Sequence, residues 1–149
     1  MADIDRIDER LLAMLTEDGR RTFSDMAAEV GLSVGAVKRR IDRLRADGVI
    51  TGFTVRIDQT KLGWGVEAFT ELRFGGRARV ADIIGTARGL AEVQAVYTIA
   101  GDPDALVHLR VRDMHHLQDV IDGLRRTGQV TGTKTLMVLG TSARVAPAL

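Results

Sequence analysis

Apolar positions in the first third of the chain fall at helical spacing. Ile7, Leu11, Met14 and Leu15 recur at intervals of three and four, which predicts a helix from Ile4 to Glu17 with Gly19 as its stop. A second helix begins after Thr22, because Thr22 followed by Asp25 reads as a capping box, and it ends at Gly31, a residue suited to a left-handed cap. Ser33 then caps a third helix. On it Val37, Ile41 and Leu44 share one face, while Gly35, Arg39, Asp42 and Ala46 lie opposite, flanked by Lys38 and Arg43. Gly48 ends that helix. Val49 to Ile57 alternates as an extended ribbon interrupted at Gly52, which predicts a small wing or a connecting strand.

Polar residues and two glycines at 58–65, DQTKLGWG, separate this helical part from one with a different period. Strands are expected at Val66 to Phe74, Val93 to Ile99, Ala105 to Arg112 and about Val130 to Leu139. Helices are expected at Ala78 to Arg88 and around Leu117, Val120, Ile121 and Leu124. The order strand, helix, strand, strand, helix, strand is the ferredoxin-like βαββαβ pattern, with both helices on one face of an antiparallel sheet. The chain is thus read as α+β: a winged helix-turn-helix over 1–57, a linker over 58–65 and a ferredoxin-like domain over 66–149. One sheet face is left without helices. It carries Glu67, Phe69, Glu71 and Arg73 on the first strand and Gln94, Val96 and Thr98 on the second, a mixture that suits either water or the same face of a second subunit.

Charge changes the picture locally. The net charge of the 149 residues is only +1, which argues against a protein that coats nucleic acid indiscriminately. Residues 38–45, however, hold five basic side chains and one acidic. A helix pair with a tight Gly31-Leu32-Ser33 turn and a basic outer face is what docking in a DNA major groove requires. The contact set read from this face is Ser33, Gly35, Lys38, Arg39 and Arg43, with Arg20 and Arg21 as phosphate partners before the second helix. A charge run that merely solvates a helix is the competing reading. Arg40 lies at the edge of the apolar face, where an ion pair with Asp5 or Asp8 competes with a DNA contact.

Other chemistries find little support. There is no cysteine, hence no disulfide framework and no thiolate metal site; the start of the chain carries Asp3, Asp5 and Asp8 where a targeting segment would be basic. No stretch approaches the roughly 18 apolar residues of a membrane span. These features point to a soluble, intracellular protein, placed in the cytoplasm. His115 and His116 are adjacent and diverge by about 100° on a helix, so they cannot share a metal as an i, i+4 pair can. His108 is a lone strand histidine, Gly63-Trp64-Gly65 lacks the third glycine of a dinucleotide fingerprint, and the serines have no neighbouring histidine pattern. No catalytic residue, metal or cofactor is expected.

The turn Ala100-Gly101-Asp102-Pro103-Asp104 joins two strands, and its carboxylates have the chemistry to hold an ammonium group beside backbone amides; the same residues are ordinary turn formers. The run IDRIDERLLAMLTEDGRRTFSDMAAEVGLSVGAVKRRIDRLRADGVITGF, followed by TIAGDPDALVHLRVRD, resembles the leucine-responsive and asparagine-responsive (Lrp/AsnC, or feast/famine) transcriptional regulators over nearly the whole chain. The resemblance implies sequence-specific binding of double-stranded DNA, a C-terminal domain for effector binding and oligomerisation, and control by an amino acid or related small molecule. It carries over Gly101, Asp102 and Asp104, with Thr133 and Thr135 of the last strand, as effector contacts at a junction between dimers, and it implies a homodimer or higher oligomer. Phe53 and Pro103 depart from residues common in the family. An amino-acid-sensing oligomeric module without specific DNA binding is the alternative.

Overall fold

The computed structural model describes residues 3–75, 81, 84, 85, 87, 89–126 and 130–141. The described residues divide into two compact units, with the division between Arg56 and Ile57.

In the first unit α1 spans Arg6–Glu17, starting two residues later than the apolar pattern suggests because Asp5 is its cap. The Asp5 carboxylate accepts the Asp8 N–H at 2.9 Å and the Asp8 carboxylate accepts the Asp5 N–H at 3.3 Å, which satisfies two amides that the first turn leaves without helical partners. α2 spans Phe23–Val30. Thr22 accepts the Asp25 N–H at 3.1 Å and its hydroxyl donates to the Asp25 carboxylate at 2.7 Å, so both residues of the expected box take part, although Asp25 returns to the hydroxyl. Gly31 closes α2 in the left-handed region with φ 69°, and Ser33 caps α3, Val34–Ala46, by accepting the Ala36 N–H at 3.2 Å. Leu11, Met14, Met26, Ala27, Val37, Ile41 and Leu44 form the core of the three helices.

The chain leaves α3 through Gly48, and the Val49 and Ile50 amides both donate to the Leu44 carbonyl, at 2.9 and 3.0 Å. The ribbon expected over Val49 to Ile57 has no strand among the described residues. Its alternation is present, but a strand needs a neighbour to take its amides, and the described residues of this unit offer none. Phe53, Val55 and Ile57 are consequently 54%, 75% and 52% exposed.

In the second unit the stretch expected as a linker winds into a 3-10 turn, Gln59–Leu62, capped by Asp58 and closed by Gly63 at φ 86°. β1 (Val66–Phe74), β2 (Val93–Thr98), β3 (Ala105–Val111) and β4 (Val130–Met137) form one sheet in the order β2-β3-β1-β4, with every neighbouring pair antiparallel. α4, Met114–Arg125, packs its Leu117, Val120 and Leu124 against Ala68, Leu72, Val107, Leu109 and Val111. The alternation of β3 is therefore real: its odd-numbered residues from Ala105 to Val111 are all buried. The helix expected from Ala78 to Arg88 falls largely outside the described residues; residues 81, 84, 85 and 87 of it are helical and Ala87 is buried in the same core.

Candidate nucleic-acid interface and effector groove

The second helix of the helix-turn-helix presents two stripes. Val37, Ile41 and Leu44 are buried against α1 and α2, whereas Ser33, Gly35, Lys38, Arg39 and Arg43 are all exposed. The Ser33 hydroxyl oxygen is committed to its cap. Arg39 lies back along Gly35, its Nη1 3.8 Å from where a Cβ there would sit. Leu32, Ala36, Arg39, Arg40 and Arg43 line a shallow groove of about 360 Å³ along this side.

The arginines of that groove are not equivalent. Arg40 donates through one nitrogen to Asp5 at 2.7 Å and to Asp8 at 2.9 Å, which settles its competing roles in favour of the ion pair. Hydrogen bonds to Asp8 and then Asp5 raise its pKa, while the Asp8 N–H, followed by Arg40, lowers that of Asp5. Arg43 also donates to Asp8, although its side chain is 47% exposed. Sequence reasoning assigned Arg43 wholly to DNA and missed this bond. Lys38 and Arg39 make no ion pair among the described residues. At the entrance to α2, Arg21 pairs with Glu29 at 2.7 Å, and Glu29 also takes Arg10. Arg20 stays exposed; its backbone N–H donates to Asp18 at 2.9 Å.

The five candidate effector residues fall in two places. In the β2–β3 turn Gly101 has φ 130°, Asp102 accepts the Arg73 guanidinium through both oxygens at 2.7 and 3.0 Å, and Asp104 accepts the Phe74 N–H at 2.8 Å. Arg73 holds the Asp102 carboxyl below its ordinary value. Both carboxylates are thus engaged by β1. Thr133 and Thr135 instead line a groove of about 710 Å³ between α4 and β4, with Met114, Ile121, Asp122 and Arg125. Thr135 meets the buried Thr70 hydroxyl at 3.1 Å, and Thr133 accepts the Arg125 Nε at 3.0 Å. Asp122 and Arg125 carried no sequence signal, since charges on a solvated helix face are common; their proximity to the threonines appears only once β4 is laid beside α4.

On the sheet face without helices Phe69 stacks on His108 at 4.7 Å between ring centres. His108 shares a hydrogen bond with Glu67 at 2.6 Å and Arg110 approaches the same carboxylate at 3.3 Å. Burial pushes the Glu67 carboxyl up, but His108 and Arg110 together carry it below its ordinary value. His116 pairs with Glu92 at 2.9 Å and His115 with Asp119 at 3.2 Å, so each histidine has a protein partner. Among the described residues no three His, Cys, Asp or Glu side chains are grouped to hold a metal, and no helix is long and apolar enough to cross a membrane.

Residues 4–45 match the AsnC-type helix-turn-helix domain, and residues 67–145, more than half of the chain, match the Lrp/AsnC ligand binding domain. The chain belongs to the Lrp/AsnC family. It is 37% identical over 139 residues to the HTH-type transcriptional regulator Rv2324 of Mycobacterium tuberculosis, covering 93% of this chain and 94% of that one. It superposes on the feast or famine regulatory protein Rv3291c of M. tuberculosis, complexed with L-methionine, with a TM-score of 0.87 at 31% identity over 95% of this chain and 96% of that one. AsnC of E. coli shares the fold, with a TM-score of 0.90 at 23% identity over 96% of this chain and 97% of that one. This Lrp/AsnC chain is accordingly a helix-turn-helix transcriptional regulator with an α+β C-terminal ligand-binding domain, in a family of regulators rather than of enzymes.

Proposed function

We propose that this regulator reads its operator with the N-terminal half of α3, using Lys38 and Arg39 over Gly35. Arg20 and the Ser33 hydroxyl proton contact phosphates, with Arg21 in a weaker supporting role because Glu29 already neutralises it. The observation that carries the reading is the pair of exposed cations on the N-terminal half of the motif's second helix, neither of which has an ion-pair partner among the described residues. Operator selection from a random DNA pool, followed by gel-shift titration at fixed salt, tests it. Arg39→Ala should weaken the selected site by about 1 to 3 kcal/mol if the guanidinium reads a base. Equal affinity of the variant and the wild type would remove Arg39 from the interface.

The effector is an amino acid or related metabolite seated in the groove beside α4. Arg125 answers its carboxylate, Asp122 its ammonium, and Thr133 and Thr135 supply hydroxyls. Gly101, Asp102 and Asp104, which do not line this groove, act from the turn of a neighbouring copy, the two carboxylates held in place by β1 of their own chain. The protein works in the cytoplasm as a homodimer or higher oligomer formed through the open sheet face around Phe69 and His108. Calorimetry with a panel of amino acids on the wild type and on Asp104→Ala tests the effector assignment, and absence of heat with every amino acid would reject it. A module that senses amino acids without reading DNA would show no steep fall of DNA affinity with salt.

A further inference from the structure

We infer that Asp8 is a positioning residue that withholds Arg43 from the DNA backbone, acting as a built-in substitute for a phosphate. The inference rests on the reading of α3 as the DNA-facing helix. Asp8 is fully buried, yet its carboxylate accepts Arg40 at 2.9 Å, Arg43, and the Asp5 N–H at 3.3 Å. An ionised carboxylate taken out of water is stable only when paired and hydrogen-bonded. Arg40 alone does not complete that pairing, because the same Nη1 also serves Asp5 at 2.7 Å. Arg43 supplies the second guanidinium.

The consequence is one of charge. Asp5 and Asp8 offset Arg40 and Arg43, so of the three arginines lining the groove Arg39 alone has no ion-pair partner among the described residues, with Lys38 beside it on the same helix. A phosphate that recruits Arg43 must strip it from Asp8 and leave a buried carboxylate short of one partner. Arg43 nevertheless stands half in solvent, one turn beyond Arg39 on the stripe that lines the groove. The arrangement therefore suppresses sequence-independent attraction without removing the cation, and it fixes the guanidinium in one place. Indiscriminate binding is held down relative to operator binding.

The test is the salt dependence of binding to a random-sequence duplex, measured on the full-length protein. Arg43→Gln should leave the slope of log affinity against log salt where the wild type has it. Asp8→Asn, which keeps the shape but drops the charge, should steepen the slope by about 0.9 per chain, or roughly 3.5-fold in affinity per chain between 50 and 200 mM salt. Adding Arg43→Gln to Asp8→Asn should abolish that increment. A purely structural role would lower the melting temperature of Asp8→Asn and leave the slope unmoved, which would overturn the inference. So would a shallower slope for Arg43→Gln alone, and that measurement stands even if Asp8→Asn does not fold. Failure of the wild type to bind any duplex would instead refute the DNA-reading proposal itself.

Discussion

Replacing Gly31 by alanine isolates one physical term. Gly31 closes α2 at φ 69° and ψ 31°, its N–H donates to the Ala27 carbonyl, and beyond its two chain neighbours no atom of the described residues lies within 4 Å of the position its Cβ would take. Alanine there displaces nothing, so the whole penalty is that of an L residue in the left-handed region, about 1 to 2 kcal/mol. Gly35 is the control. It lies in the first turn of α3, where a Cβ would make ordinary contact with Arg39 at 3.8 Å, and alanine there should stabilise by about 0.5 kcal/mol through lost unfolded-chain freedom. For a unit of this size each kcal/mol moves the midpoint by about 4 to 8 °C. Thermal unfolding of the full chain, followed by circular dichroism at the helical band, should therefore place Gly31→Ala below the wild type and Gly35→Ala slightly above it. Gly31→Asn should fall between Gly31→Ala and the wild type, because asparagine tolerates this backbone conformation. Melting of Gly31→Ala together with the wild type would refute the claim that the turn's glycine is required by backbone geometry.

Two further outcomes follow from side chains already described. Asp5, Glu67 and Asp102 all have carboxyl pKa values below the ordinary range in the folded chain, so the unfolded chain takes up protons first. Their contribution is complete above that range and is lost as pH falls through it, so the melting temperature should decline from about pH 5 downward; a flat profile to about pH 3 would contradict the pairing described. Thr70→Val removes a buried hydroxyl from its 3.1 Å contact with Thr135, and urea titration should show a loss of about 1 kcal/mol, while unchanged stability would mean that Thr135 finds water instead.

The parts of this fold that could be read from sequence are those decided within a few residues. Thr22 and Ser33 mark helix starts by accepting amides three positions on, Gly31 marks an end by donating to the carbonyl four positions back, and the alternation of β3 needs only the pleat of a strand. What escaped depends on elements distant along the chain. Arg40 lies near enough to the apolar face for its pairing with Asp5 and Asp8 to be foreseen, but Arg43 sits on the outward stripe, and only the packing of α1 on α3 shows that its side chain reaches Asp8. Val49 to Ile57 alternates like a strand because composition permits one, yet no sequence window reveals whether a neighbour will be present. The effector residues divided for a related reason: Asp102 and Asp104 answer β1, whereas Thr133 and Thr135 answer α4 and the buried face of β1.

The bare side chains of Phe53, Val55 and Ile57 have a practical corollary for handling the molecule. An oily ribbon with no strand beside it among the described residues gives other chains a surface to stick to, so a concentrated preparation should clump sooner than a dilute one. Storage at low protein concentration would then prolong shelf life.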